Sequence, residues 1–391
     1  MNGALPRACA VDRPPMAVLR KLPGWAPSAL AFALCSAAAW SAVAQEAATD
    51  EPKADDTTVE EPEPEYPIFD PEARLIGGVE RHLEHPRSSQ VGDHNRQPFF
   101  LEQARIELDF ETNKWLSGSL SAELSDDPAV RDAFVNARIK RWFQVQAGHF
   151  KRPMSRTELT STIKLPFRDR GIFNRALLRQ GEWGNRALGL MLWGKVRKPD
   201  LQWNLAATNS AESIGTRRVE QIRGVDVLGR VEYEPTEWLS IAVNGGYKNT
   251  EPYLNGPNLS LLAFGGDVRV RAGGLRVVLE SIAAQNPRPP APPDSRGRKP
   301  MALGINGYVT YDIPLGMRAA LQPTVAGEWV DTDLDLGEDE ALRGLGGINL
   351  LLFDGAYRVM PQVEIVRPLG EVGARSHVKR ETYCILLTAE L

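Results

Sequence analysis

The sequence predicts an all-β protein, a transmembrane antiparallel β-barrel of about sixteen strands. Three observations favour this fold class. Apolar and polar residues alternate along most of the chain, long and short connections alternate between the segments, and aromatic residues collect beside the short connections. Together these features are typical of a barrel that crosses a membrane.

The N-terminal residues 1–44 have the pattern of a secretory signal peptide. A basic pair at positions 20 and 21 precedes an apolar run, which closes with the small-residue motif Ala-Val-Ala at positions 42–44. This order is typical of a cleaved export signal. We expect cleavage at the end of that motif, in a chain that starts at Met1 or Met16. An uncleaved anchor and a lipoprotein signal at Cys35 are the alternatives.

Residues 45–70 are predicted to form an acidic disordered linker. They contain ten acidic residues, one lysine and several prolines, and they show no hydrophobic period. The remaining residues 71–391 carry 41 basic and 39 acidic side chains, so the net charge of -4 originates in the linker. A nearly neutral body without a basic tail argues against a nucleic-acid partner.

Residues 71–391 are predicted to form the barrel itself. Within 104–111, apolar residues occupy the even positions and charged residues the odd positions, and the same period recurs in 132–140, 225–233 and 267–271. Such alternation indicates strands whose two faces meet different environments. The predicted strands are 73–81, 99–111, 114–125, 129–141, 142–151, 185–196, 200–209, 222–234, 237–249, 261–272, 274–285, 301–313, 316–331, 341–353, 356–368 and 379–391.

The lengths of strands and connections favour a membrane barrel over a soluble β-protein. Many segments exceed the usual length of a globular strand and approach the roughly 9–11 residues of a tilted strand in a bilayer. Long connections such as 151–185 alternate with tight ones such as 111–114 and 234–237, with the short connection 125–129 as an exception. Such alternation is typical of outer-membrane barrels. A soluble periplasmic β-protein is the alternative.

Aromatic residues lie close to the predicted short turns. Because tryptophan and tyrosine favour the boundary between lipid and water, this distribution indicates one membrane interface. Packing at strand ends is the alternative explanation. The residues concerned are Trp115, Trp142, Trp193, Trp203, Trp238, Tyr233, Tyr311, Phe353 and Tyr357.

The third long loop is strongly basic. Residues 151–186 hold nine basic and three acidic side chains. A barrel of about sixteen strands encloses an aqueous lumen, so this loop, if it folds inward, narrows the path and favours anions. Its predicted anion-binding or constriction residues are Lys151, Arg152, Arg156, Lys164, Arg168 and Arg170. The predicted lumen-lining residues on the strands are Arg105, Arg138, Lys140, Arg230, Arg269 and Arg271.

One alternative remains for the position of this loop, and one feature of the strands weakens the predicted preference for anions. The loop could instead lie on the surface, where solvated charges would confer no selectivity. The basic strand residues also alternate with acidic ones such as Glu107 and Asp132, which dilutes the positive potential that they could produce.

Five short motifs follow one another in the first half of the predicted barrel. In order they are DAFV at 132–135, QAGHFKRP at 146–153, ELTS at 158–161, FRDR at 167–170 and RALG at 186–189. As a set they resemble the phosphate-selective porin O and P family. The matching block covers about residues 130–196, and the rest of the chain resembles the family only in its pattern.

The resemblance implies a sixteen-stranded, homotrimeric porin of the bacterial outer membrane, surrounded by lipid and lipopolysaccharide, whose third loop folds into the lumen. It also implies that Lys151, Arg152, Arg168 and Arg170 lie near the constriction. Family membership by itself does not imply selectivity for phosphate, because the selective members carry a longer series of basic residues than this sequence offers.

The sequence contains none of the common enzyme signatures: no G-x-S-x-G, C-x-x-C, H-E-x-x-H or P-loop motif is present. We therefore expect no catalytic residues, no cofactor and no metal site. The predicted function is a passive outer-membrane channel with a basic constriction that favours small anions such as phosphate. A general non-selective porin is the first alternative, and a non-conducting barrel enzyme or adhesin is the second.

Overall fold

The computed structural model describes residues 67–84, 99–125, 129–209, 224–250, 259–285, 300–337, 339–369 and 380–390. The predicted signal peptide and nearly all of the predicted linker lie outside the described residues. Both therefore stay predictions.

The described residues form sixteen antiparallel strands. The twelfth is interrupted at Asp312 and continues in register as Ile313–Gly316, so both pieces count as one strand. The strands are β1 Ile68–Glu84, β2 Phe99–Asn113, β3 Leu116–Glu123, β4 Ala129–Lys140, β5 Phe143–Lys151, β6 Arg186–Val196, β7 Asp200–Asn209, β8 Val225–Thr236, β9 Leu239–Thr250, β10 Leu259–Ala272, β11 Leu275–Gln285, β12 Met301–Tyr311 with its continuation, β13 Ala319–Asp331, β14 Ala341–Leu352, β15 Tyr357–Pro368 and β16 Arg380–Glu390.

Each strand pairs with its neighbour in sequence, and the sheet closes on itself. Strand β1 pairs with β2 on one side and with β16 on the other, in a register that joins Arg74 to Glu390 and Glu84 to Arg380. Closure leaves no open sheet edge. A sheet surrounded by lipid requires such closure, because an open edge would leave backbone N–H and C=O groups unpaired. The predicted closed barrel of about sixteen strands is therefore confirmed.

The period of two gives the barrel an apolar outer face and a polar inner face. Large apolar side chains such as Ile106, Leu190 and Phe264 are about half exposed on the outer face. Residues at the alternate positions face the interior, and Arg105, next to Ile106, and Asp267, three residues after Phe264, are buried there. A closed barrel with so large an exposed apolar belt requires lipid around it.

Most of the aromatic residues beside the short turns lie on the outer face. Trp115, Trp142, Trp238 and Tyr311 are at least half exposed, as expected for side chains at a membrane interface. Trp193 differs, because its indole N–H donates to Asn136 Oδ1 on the polar inner face. We call the end of the barrel with these short turns the turn end and the opposite one the loop end.

The connection between β5 and β6, residues 152–185, is the third loop and folds into the barrel. It contains the helical turns α1 Arg156–Leu159 and α2 Gly171–Phe173, the 3-10 turn Thr162–Lys164 and the π-helical segment Asn174–Gln180. Ser155 caps α1 by accepting a hydrogen bond from the backbone N–H of Glu158.

The third loop packs on an apolar part of the inner wall. Its largest cluster joins Phe173, Leu177 and Trp183 to strand residues that include Leu228 and Ile282. The alternating pattern predicts a lumen that holds water and charged side chains. Part of the inner wall is instead apolar and packs against the loop. Burying these side chains stabilises the docked position of the loop.

Candidate functional site in the lumen

Two arginines at the start of the third loop are bound to the inner wall. Arg152 is fully buried, and its guanidinium donates to Asp226 Oδ2 at 2.7 Å. Arg156 donates from Nε to Asp267 Oδ1 at 2.5 Å and forms an ion pair with Glu232 at 2.9 Å. Both charges are thus balanced by wall carboxylates, and these contacts attach the loop to β8 and β10.

Arg168 and Arg170 also have acidic partners. Arg168 forms ion pairs with Glu80 and Glu102, and its guanidinium lies over the ring of Phe100, 4.5 Å from the centroid. Arg170 donates to the carbonyl oxygens of Thr157 and Thr160 and lies 3.6 Å from the carboxylate of Glu158. The basic character of the loop is therefore largely compensated.

Nearby cations of the loop and of the wall lower the pKa values of two loop carboxyls, those of Glu158 and Asp169. Burial alone would raise the pKa of the Glu158 carboxyl, but Arg170 and a hydrogen bond from Asn174 hold it below its ordinary value. Burial likewise opposes ionisation of Asp169, and Arg343 is the main group that keeps its pKa low. Both carboxylates are therefore charged at neutral pH.

The two predicted lysines of the third-loop segment differ in their surroundings. Lys151 ends β5, and its Nζ donates to the carbonyl oxygen of Leu159 at 3.0 Å. Lys164 is exposed and faces a water-accessible cavity at the turn end. Among the six predicted constriction residues, Lys164 is the one without an ion pair or side-chain hydrogen bond in the described part of the chain.

Most of the predicted lumen-lining strand residues are paired. Arg105 lies 3.4 Å from Glu123, Arg138 3.7 Å from Glu111 and Arg269 2.6 Å from Glu234. Arg230 and Asp267 form a buried pair at 2.5 Å.

Lys140 and Arg271 have no ion-pair partner among the described residues. A register shift between Arg138 and Lys140 places Lys140 opposite Phe143, with its Nζ 5.5 Å from the ring centroid of Trp142. Lys140 therefore lies at the rim of the turn end. Arg271 is exposed and lines the turn-end cavity beside Lys164.

This turn-end cavity has a volume of about 500 Å³, and six of its thirteen lining residues are basic. The basic residues are Arg156, Lys164, Arg269, Arg271, Arg276 and Arg358. Its two acidic residues already have partners, since Asp354 pairs with Arg318 at 2.8 Å and Glu390 with Arg74 at 3.2 Å. The cavity therefore has a clear excess of positive charge.

Four of these basic residues form no ion pair with any carboxylate in the described ranges: Lys164, Arg271, Arg276 and Arg358. Arg358 instead donates to the carbonyl oxygens of Gly355 and Leu165. The Nε of Arg276 is buried without a hydrogen-bond partner among the described atoms. Guanidinium groups in this state can donate to an oxyanion, and paired N–H groups suit phosphate or carboxylate.

Arg276 and Arg358 are not among the site residues predicted from the sequence. Both lie on predicted strands. Arg276 lies four residues before the buried Glu280, and Arg358 lies four residues before the buried Gln362, so each shares the inner face of its strand with that residue. The period of two could therefore have identified both as lumen residues. Only the closure of the barrel shows that they face the same cavity as Lys164.

A second cavity of about 380 Å³ lies on the loop-end side of the third loop and is mixed in charge. Seven arginines and four carboxylates line it, so its excess of positive charge is smaller in proportion than that of the turn-end cavity. The arginines are Arg105, Arg131, Arg168, Arg170, Arg175, Arg179 and Arg186, and the carboxylates are Glu102, Glu123, Glu158 and Asp169.

Neither cavity has the arrangement of a metal site. Among the described residues, no group of three or more His, Cys, Asp or Glu side chains is placed to hold a metal ion. In the same part of the chain, no helix is both long and apolar enough to span a membrane. The arrangement can hold and pass charged solutes through hydrogen bonds and electrostatic attraction.

Comparison with known proteins gives matches in structure and none in sequence. No protein-family model matches the chain, and no curated protein matches it. The anion-selective porin from Comamonas acidovorans is 11% identical with a TM-score of 0.58, and the match covers 83% of this chain and 100% of that chain.

Two further solved structures match to a similar degree. The outer-membrane channel DcaP of Acinetobacter baumannii is 10% identical with a TM-score of 0.56, covering 83% of this chain and 97% of that chain. OprB of Pseudomonas putida is 10% identical with a TM-score of 0.55, covering 83% and 94%. The chain therefore has the fold of a porin of the bacterial outer membrane.

Proposed function

We propose that this protein is a passive outer-membrane channel whose basic turn-end cavity favours small anions such as inorganic phosphate. The observation that carries the proposal is the group of four basic side chains without an acidic partner in the described ranges, Lys164, Arg271, Arg276 and Arg358, around one cavity. Confined positive charge in a water-filled path lowers the barrier for anions and raises it for cations.

The position of the selective residues differs from the expectation based on the third loop alone. Arg152, Arg156, Arg168 and Arg170 have wall or loop carboxylates as partners, so they contribute little net potential. We therefore assign them to holding the loop in place. Lys164 and Arg271 remain selectivity residues, and Arg276 and Arg358 join them.

Several parts of the proposal follow from the porin fold and the motif resemblance. We propose a homotrimer embedded in outer-membrane lipid and lipopolysaccharide, with no cofactor and no enzymatic activity. Transport is downhill, since ions and small solutes need only a concentration gradient to cross such a channel.

A general porin with little selectivity is the second candidate. The extensive pairing of lumen arginines with carboxylates favours it, because balanced charge leaves a weak mean potential along the path. The two candidates differ in whether the four unpaired basic residues dominate the passage of ions.

Single-channel reversal potentials under a salt gradient test the proposal. We expect the unchanged protein to prefer chloride over potassium, and added phosphate to reduce the chloride current. The variant Arg271→Gln with Arg276→Gln should lose much of the preference while its conductance persists. Arg138→Gln, at the partly exposed pair with Glu111, is the matched control. Equal selectivity in all three proteins would favour the general porin.

A further inference from the structure

The C-terminal end of the third loop is held by a buried group of charges, Arg152, Asp226 and Lys248. All three side chains are fully excluded from solvent. Arg152 is the first residue of the loop, Asp226 lies at the loop end of β8, and Lys248 lies at the loop end of β9. The fold therefore brings together charged residues that are up to 96 positions apart.

Arg152 connects three parts of the structure at once. Besides Asp226, its guanidinium donates to the carbonyl oxygen of Glu182 at 2.6 Å and to that of Asn209 at 2.6 Å. Its backbone N–H donates to the carbonyl oxygen of Asn185 at 2.9 Å. One side chain thus joins the start of the loop, the end of the loop and the wall.

Lys248 binds the same end of the loop from the other side. Its Nζ donates to the carbonyl oxygen of Glu182 at 2.8 Å, lies 3.9 Å from Asp226 Oδ2 and sits 5.2 Å from the ring centroid of Trp183. The indole N–H of Trp183 donates to the carbonyl oxygen of Gln285 at 3.1 Å, which adds a contact with β11. The loop segment 181–185 is therefore held by side chains of the wall.

Asp226 and Glu182 supply the carboxylates that face the two cations of this group. Arg152 and Lys248 are cations, Asp226 is fully buried, and the carboxylate of Glu182, 3.6 Å from Lys248, is the other acidic partner. Two buried cations without Asp226 would repel each other in a medium of low polarity, and a buried charge that loses its partner is strongly unfavourable.

We propose that Asp226, with Arg152 and Lys248, forms a latch that keeps the third loop docked against the wall and so sets the width of the open path. These are positioning residues, which act on passing ions through the loop. The consequence for conductance rests on the proposed channel function, whereas the docking of the loop does not.

Loop mobility can be measured with a spin label at Gln180, an exposed residue of the third loop. Cys384→Ala removes the remaining cysteine after the predicted signal peptide, so that Gln180→Cys carries the only label. The variants Asp226→Asn, Lys248→Met and their combination are prepared in this background and reconstituted in detergent. Asp200→Asn is the matched control, because Asp200 forms a half-exposed pair with Lys195 on a neighbouring wall strand.

We expect Asp226→Asn to shift the docked–undocked equilibrium of the loop by roughly a hundredfold, which would appear as a mobile spectral component. Lys248→Met should loosen the loop less, since the pair of Arg152 with Asp226 remains. The double variant should be closer to the parent than Asp226→Asn is, because it restores the charge balance. Asp200→Asn should leave the spectrum unchanged.

An immobile label in a folded Asp226→Asn barrel would overturn the latch. Heat-modifiable migration in gels shows whether that variant folds. If it does not fold, Lys248→Met is compared with Asp200→Asn instead. Equal label mobility in those two proteins would also overturn the latch. Single-channel conductance of the same proteins tests the channel function separately. A mobile label in a protein that never conducts would support the latch and contradict the proposed function.

Discussion

At the scale of single residues, the lumen is organised by arginines that each hold several carboxylates. Arg343 on β14 is almost completely buried and binds Asp169 of the third loop, Glu328 of β13 and Glu364 of β15. Glu328 in turn accepts a hydrogen bond from the backbone N–H of Phe173 at 2.9 Å. Arg343 therefore ties Asp169, two residues before α2, to three neighbouring strands, and Glu328 binds α2 itself.

Replacing Arg343 with Met should lower the free energy of unfolding by about 3–5 kcal/mol, because three buried or half-buried carboxylates would lose their shared cation. Arg318→Met is the matched control. Arg318 and Asp354 are both largely exposed, so that variant should cost less than about 1 kcal/mol. Urea unfolding of the detergent-solubilised proteins, followed by tryptophan fluorescence, measures both values. Equal losses in the two variants would contradict this account.

At the scale of elements, the third loop is built from short helical turns joined by buried polar contacts. Glu158 in α1 accepts a hydrogen bond from the side-chain amide of Asn174 at 2.5 Å, which connects α1 with the π-helical segment. Arg170 supplies the nearest cation. None of these turns is long enough to be stable by itself, so the loop depends on such contacts and on the apolar wall.

The ionised form of Glu158 should stabilise the docked loop at neutral pH. Its pKa lies below the ordinary value of 4.5 in the folded protein, so its contribution is complete above that value and disappears as the pH falls through the lowered pKa. With the label at Gln180, Glu158→Gln should be more mobile than the parent at pH 7. The two should converge in acid, once the pH has fallen through the lowered pKa of Glu158.

A change of pH acts on both proteins throughout, so the informative quantity is the difference in label mobility between the two proteins at each pH. A difference that persists unchanged down to the lowest pH at which both barrels remain folded would show that the charge of Glu158 is not what matters.

At the scale of the whole molecule, the barrel depends on the pairing of its first and last strands. Strands β1 and β16 share eleven paired positions from Arg74 and Glu390 to Glu84 and Arg380. Without this contact, both strands would expose a row of unpaired N–H and C=O groups to lipid, and each such group costs several kcal/mol. The seam is therefore a requirement of the fold.

A chain that lacks residues 380–390 should not fold into bilayers, because it cannot close. Refolding into lipid vesicles, followed by heat-modifiable migration in gels, measures the folded fraction. The matched control lacks residues 45–66, the part of the predicted acidic linker that precedes the described barrel. This control should fold as well as the parent, and a failure of it would contradict the predicted domain boundaries.

Much of the fold could be predicted from the sequence, because a period of two is a local property. In 104–111 and 225–233 the alternation of apolar and polar residues identifies the strands and their two faces. The order of long and short connections then leads to a closed antiparallel barrel of sixteen strands. The inward-folded loop between β5 and β6 was expected only from the motif resemblance. The details that differ, such as the position of Lys140, come from a local register shift.

The electrostatics of the lumen were decided by the tertiary structure alone. The sequence shows that the third loop is basic, yet the partners of Arg152 and Arg168 lie 74 and 88 positions away. The closure of the barrel and the position of the loop against the inner wall determine which wall carboxylates neutralise which arginines. The same closure brings Arg276 and Arg358 to one cavity with Lys164, because the contacts that matter inside a barrel are separated widely along the chain.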